Sequence, residues 1–149
     1  MQPLSSTIQD LFRFSPFIEN SCQQDPTLLD RLARSPLLLD EAEEGYYRER
    51  LSWILRGEEE GHSIVENDQQ LSKVLRSFRR DEMVRIAIRD LAGWADYHTT
   101  VRDLSALADA VVATTLELLY SWQCREEGAP RGEQSGRPQQ MVVVAMGKL

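Results

Sequence analysis

Apolar residues recur along this chain mainly at helical spacing, in stretches opened by residues that favour helix starts. Ser15-Pro16, Asp25-Pro26 and Ser35-Pro36 repeat every ten residues. Each places an N-capping side chain before a proline, whose missing N–H is harmless at the first helical position. The pattern predicts short helices over about 16–23 and 26–34, a turn from Pro36, and a preceding amphipathic segment over about 6–14. Such short helices are unstable alone and must pack on something larger.

Further along, Tyr46, Tyr47, Leu51, Trp53, Ile54 and Leu55 supply an apolar stripe for a helix over about 43–56. Residues 57–67 read as a loop, and Asp68 can cap a long helix reaching about Trp94. Its first part offers Leu71, Val74, Leu75 and Phe78, its second Met83, Ala87, Leu91 and Trp94. At about 100° per residue these two stripes point to roughly opposed faces. Either Arg79-Arg80-Asp81-Glu82 breaks the helix, or it runs between two packing partners. The second is favoured, because neither glycine nor proline stands between the two stripes.

A last helix, capped by Thr99 or Thr100, ends near Glu127. Val101, Leu104, Ala108, Val111, Val112, Thr115, Leu119 and Trp122 form its stripe, widened by Leu107 and Leu118. Its length suits the scaffold helix of a bundle. Residues 128–140 are glycine, proline and polar residues, an exposed linker. Then Met141-Val-Val-Val-Ala-Met-Gly-Lys-Leu149 reads as a buried strand of the parallel-sheet type. A lone strand has no ladder partner. The expected architecture is therefore mainly α: a bundle-like helical region (1–127), a linker (128–140) and one unpaired β-strand (141–149) that opens a sheet. On this reading the chain is the amino-terminal piece of a larger protein, cut where its α/β sheet begins.

Composition narrows the classes. With 149 residues the chain can hold one domain with its own core. A net charge of −7 argues against a general nucleic-acid binder. No apolar run of membrane-spanning length and no secretory signal are evident from the residues. Cys22 and Cys124 stand far apart without a CxxC or a histidine cluster, as reduced structural thiols in a cytoplasmic protein do.

Residues 40–60 hold eight carboxylates against three arginines. That balance fits the solvated face of a packed helix better than a metal site, since no His or Cys converges on it. Residues 73–90 are basic instead. Glu82, Arg85 and Arg89 share a face at spacings of three and four, so ion pairing along the helix is expected. Arg85 and Arg89 also sit among Met83, Val84, Ile86, Ala87 and Ile88. An arginine pair so placed wants a carboxylate or phosphate, which leaves a phosphate or domain-interface contact as the alternative. His62 and His98 stand alone in loops. Gly147-Lys148 is not a Walker A loop, because the upstream glycine and the following Ser or Thr are missing. Residue pattern alone gives no catalytic constellation.

Several blocks together resemble the bifunctional bacterial glutamine synthetase adenylyltransferase/adenylyl-removing enzymes. They are the opening Met-Gln-Pro-Leu-Ser-Ser, Leu75-Arg-Ser-Phe-Arg-Arg80 with Glu82-Met-Val-Arg-Ile-Ala-Ile-Arg-Asp-Leu91, Leu104-Ser-Ala-Leu-Ala-Asp109, Glu127-Gly-Ala-Pro-Arg131 and Val144-Ala-Met-Gly-Lys-Leu149. The resemblance is good over about 71–149 and looser before it. It implies a nucleotidyltransferase that adds AMP to glutamine synthetase and removes it by phosphorolysis, with the adenylyl-removing activity in this half. It implies ATP and phosphate as ligands, PII regulatory proteins and glutamine synthetase as partners, Mg2+ as cofactor, and a bacterial cytoplasmic setting. Gly147 and Lys148 would form the edge of the nucleotide site, with Arg85 and Arg89 as further candidates. The family's metal-binding Asp-x-Asp pair does not occur in this sequence, so the chain alone is expected to be inactive. The competing expectation is a non-catalytic helical interaction module.

Overall fold

The computed structural model describes residues 10–57 and 65–144. Five α-helices account for most of them: α1 (Pro16–Gln24), α2 (Leu28–Arg34), α3 (Tyr46–Arg56), α4 (Asp68–Leu91) and α5 (Tyr97–Glu127), with 3-10 turns at Phe12–Phe14 and Pro36–Leu38. No strand occurs among the described residues. The anticipated strand is not formed over residues 141–144, which are irregular and lie open to solvent. Residues 145–149 lie outside the described part.

The proline-marked starts work by different local chemistry. Ser15 caps α1, its hydroxyl accepting from the Ile18 amide at 3.3 Å. At Asp25-Pro26 the helix waits until Leu28. The Asp25 carboxylate folds back onto the Thr27 amide at 3.1 Å, an Asx-type turn that competes with helix entry. Ser35 makes no side-chain cap, and Pro36 opens only a single 3-10 turn.

The long helices start from neighbours of the expected caps. Asn67, rather than Asp68, caps α4 by accepting from the Gln70 amide at 3.0 Å. Asp96, rather than Thr99 or Thr100, caps α5 by accepting from the Thr99 amide at 2.7 Å. α4 stops at Leu91, short of Trp94, because Gly93 adopts φ +71°. Its amide bonds the Asp90 carbonyl and the Trp94 amide reaches the Arg89 carbonyl at 2.8 Å, the Schellman arrangement that ends a helix.

α4 is unbroken and serves two cores, as its double stripe suggested. One cluster joins Tyr47, Leu51 and Leu55 of α3 to Leu71, Phe78 and Ile86 of α4 and to Leu107 and Ala110 of α5. The other joins Leu11, Ile18, Leu28, Leu32 and Leu38 to Val84 and Ile88. The residues of the second stripe differ from expectation. Val84 and Ile88 are fully buried, Ala87 and Trp94 flank them, and Leu91 is exposed.

α5 departs further. It docks on α3 and α4, but its buried positions are Thr99, Asp103, Leu107, Ala110 and Thr114. Those lie on the side opposite to Val101, Leu104, Ala108, Val112 and Leu119 at about 100° per residue. Of the anticipated stripe, Leu107, Val111, Leu118 and Trp122 meet the core, while Val101, Leu104, Val112 and Leu119 are turned outward. By length and composition α5 could cross a membrane, contrary to the reading from the residues, although a helix of a soluble bundle passes the same test.

Candidate functional site

The polar residues that the fold brings together lie under α4, between its two cores. Leu71, Phe78, Glu82, Arg85 and Arg89 succeed one another at spacings of seven, four, three and four. They form one continuous face that is apolar in its first half and charged in its second. All five are buried, and Arg85 and Arg89 are each only 1% exposed. Charges so deep must be paired or bonded.

Arg85 uses each of its donor nitrogens. Nε donates to Glu82 at 2.8 Å, Nη1 to the Leu37 carbonyl at 3.0 Å and Nη2 to the Tyr47 hydroxyl at 2.6 Å. Asp103 of α5 stands 3.9 Å from Nη2. Its guanidinium also lies over the rings of Tyr47 and Tyr46, at 5.7 and 5.8 Å from their centroids. Burial works against its charge, but Glu82 and the tyrosines outweigh that and raise its pKa. Glu82 is completed by the Tyr46 hydroxyl at 3.1 Å and by Arg50 at 3.3 Å. Burial beside Glu82 pushes Tyr46 up to about 12, and burial raises Tyr47 as well. Both phenols therefore stay protonated at neutral pH, Tyr46 donating to Glu82 and Tyr47 accepting from Arg85.

Arg89 is held differently. Its Nη1 donates to the Leu38 carbonyl at 3.1 Å and its Nη2 to the Trp94 carbonyl at 3.5 Å, while Nε has no partner. Sitting in the last turn of α4, it also meets the negative end of that helix. Arg85 and Arg89 thus take the carbonyls of Leu37 and Leu38, both in the 3-10 turn Pro36–Leu38, and clamp that turn to α4. The internal carboxylate expected for this arginine pair is Glu82, and of the two it meets only Arg85.

Sequence pattern had placed Tyr46 and Tyr47 in an apolar stripe and given Asp103 no role. The available signal was a carboxylate four residues before Leu107, on the side of that leucine in the apolar stripe. A second polar group ties α1 and α2 to α4 near the surface. Arg31 bridges Asp25 and Asp81, each at 2.8 Å, and Arg80 reaches Asp25 at 3.3 Å. His98 is exposed in the first turn of α5, beside the ring of Tyr97. Gly147, Lys148 and His62 lie outside the described residues.

Among the described residues no three His, Cys, Asp or Glu side chains converge as a metal site. Glu82 and Asp25, the carboxylates gathered with others, already face arginines. These residues do not fit a divalent cation. The arrangement defines a helical scaffold whose buried charges fasten one helix to its neighbours, with no nucleophile and base brought together among the described residues.

Comparison with known proteins gives the scaffold its family. The profile of the glutamate-ammonia ligase adenylyltransferase family matches residues 5–149, and the chain belongs to that family. It is 41% identical over 135 residues to the bifunctional glutamine synthetase adenylyltransferase/adenylyl-removing enzyme of Nitrosococcus oceani, covering 91% of this chain. The proteins of the same description from Pseudomonas aeruginosa and Nitrosomonas eutropha are 37% and 31% identical, over 91% and 97% of this chain. In these three the matched stretch is 13%, 13% and 15% of the relative's length.

Proposed function

We propose that this chain is the helical amino-terminal part of a nucleotidyltransferase that adenylylates glutamine synthetase and removes the AMP again by phosphorolysis. It belongs to the adenylyl-removing side of that enzyme, works in the bacterial cytoplasm and regulates nitrogen assimilation. The observation that carries this reading is the family match along residues 5–149, together with relatives whose names give both activities.

In this reading glutamine synthetase is the protein substrate, ATP and phosphate are the small ligands, and PII proteins govern the direction. Transfer of a phosphoryl-linked group develops negative charge that Mg2+ offsets when bound. Its ligands belong to other parts of the longer protein, since the sequence has no Asp-x-Asp pair and Glu82 and Asp25 are committed to arginines. Gly147 and Lys148 form the edge of the nucleotide site. Arg85 and Arg89 act as positioning residues: with both guanidiniums buried and bonded internally, they fix the helices on which the catalytic sheet rests.

The test is AMP removal from adenylylated glutamine synthetase, with phosphate and magnesium supplied. The 149-residue chain is expected to release no AMP, whereas the polypeptide extended to the length of its relatives does. Turnover by the short chain, or none by the long one, refutes the proposal. In the long protein, Arg85→Ala and Arg89→Ala lower activity more than Arg56→Ala, which alters an exposed side chain bonded to its own helix at the Ser52 carbonyl.

A further inference from the structure

We infer that the outward face of α5 is the seat of the sheet that the run at residues 141–144 opens in the full-length polypeptide. This rests on the reading above that the helices serve a longer catalytic chain.

The face is defined by Val101, Leu104, Ala108, Val112 and Leu119, which share one side over about 27 Å of helix. Four of them are 39–45% exposed although they are large and apolar. From Val101 to Leu119 this side carries no charged residue. Arg102 and Asp109 project to one flank, and Asp103 and Glu117 point toward the docked side. Outer faces of soluble helices normally carry charges, so a face like this one is covered when the protein works.

Three observations select the occupant. Residues 141–144 are themselves an uncovered apolar run, with Val142 78% exposed, and β-branched valines suit a strand. The Tyr120 hydroxyl of α5 donates to the Gln139 carbonyl, fastening the chain two residues before Met141 to this helix. What the run leads into therefore starts alongside α5. Finally, the matched stretch is 13% of the Nitrosococcus oceani protein, so in such a protein there is polypeptide enough to form a sheet. An apolar helix face laid on an apolar sheet face is an ordinary two-layer solution.

The experiment places a thiol at Val112, and separately at Leu104, in both the 149-residue chain and the full-length polypeptide. Maleimide labelling is followed by mass spectrometry of the α5 peptide. We expect both positions to react at least tenfold more slowly in the full-length protein, and the 149-residue chain to be monomeric by light scattering. Equal rates in the two proteins overturn the inference. So does slow labelling in a short chain that is dimeric and becomes monomeric on Val112→Asp, or a short chain that floats with phosphatidylglycerol vesicles. AMP removal by the same full-length samples keeps the two proposals apart. Active protein with fast labelling sinks the docking surface alone, and inactive protein with slow labelling sinks only the functional reading.

Discussion

Arg85 touches three elements besides its own helix: the Leu37 carbonyl in the 3-10 turn, Tyr47 of α3 and Asp103 of α5. Removing it leaves Glu82 buried without its closest cation. Arg85→Ala is therefore expected to cost about 3–5 kcal/mol, as for breaking a buried pair from one side. The double change Arg85→Met with Glu82→Leu removes both charges and should cost less than the single one, read from urea unfolding midpoints. If the single and double variants are equally unstable, the ion pair is not what the site holds. Asp25 offers a pH test. Its hydrogen bond from Arg31, with those from Thr27, holds its carboxyl well below the usual carboxylate range. Its pKa is thus lower in the folded chain than the value of about 3.9 in the unfolded one. The resulting stabilisation is complete above that unfolded value and is lost as pH falls toward the folded one. Asp25→Asn should flatten the fall of Tm below about pH 5, whereas an unchanged acid limb would show that the network does not report on folding.

At the scale of elements, the caps and stripes explain what could be read from the residues. The starts of α1 and the 3-10 turn at Pro36 were legible because proline fixes φ and needs no N–H there. The start of α2 was not, because Asp25 has a competing use for its carboxylate in the turn to Thr27. The stop of α4 was written in Gly93, the residue able to take φ +71° without strain. Harder to see was that the stripe from Leu71 and Phe78 keeps its face and turns charged at Glu82. Apolarity marks burial only where the partner is also apolar, and here the partners are carbonyls and phenols. The same rule applies to α5, whose docked face carries Asp103 beside Leu107 while Val101, Leu104 and Val112 look outward. Of the candidate site, the pairing of Glu82 with Arg85 was legible from spacing, but the tyrosines and Asp103 come from other helices, beyond the reach of local pattern. The caps give a direct check. Asp96→Ala should lower stability by about 1 kcal/mol, and Thr100→Ala by less. The Thr100 hydroxyl donates only to exposed Asp90. The reverse order would return the cap to the threonine.

For the molecule as a whole, α4 is the shared wall of two cores that do not otherwise merge. The cluster around Ile18, Leu28 and Leu38 meets α4 at Val84 and Ile88, and the cluster around Leu51 and Leu55 meets it at Leu71, Phe78 and Ile86. α1 and α2 are short and owe their order to that contact and to the Arg31 attachment, while Arg89 holds the 3-10 turn that follows α2. The second core holds the two longest helices and α3. Opening of the first core alone is then cheaper than global unfolding, as for any subglobal unit with few long-range contacts. Leu28→Ala, which truncates a fully buried side chain, should cost about 2–5 kcal/mol. Amide exchange is expected to quicken in α1, α2 and the 3-10 turn, while the central turns of α3 and α5 keep their protection. Val84 and Ile88 belong to α4, which remains anchored from its other side, so its amides should quicken less than those of α1. An equal loss of protection in all five helices would mean that the arginine clamps couple the cores into one cooperative unit, and the scaffold would then be rigid instead of hinged.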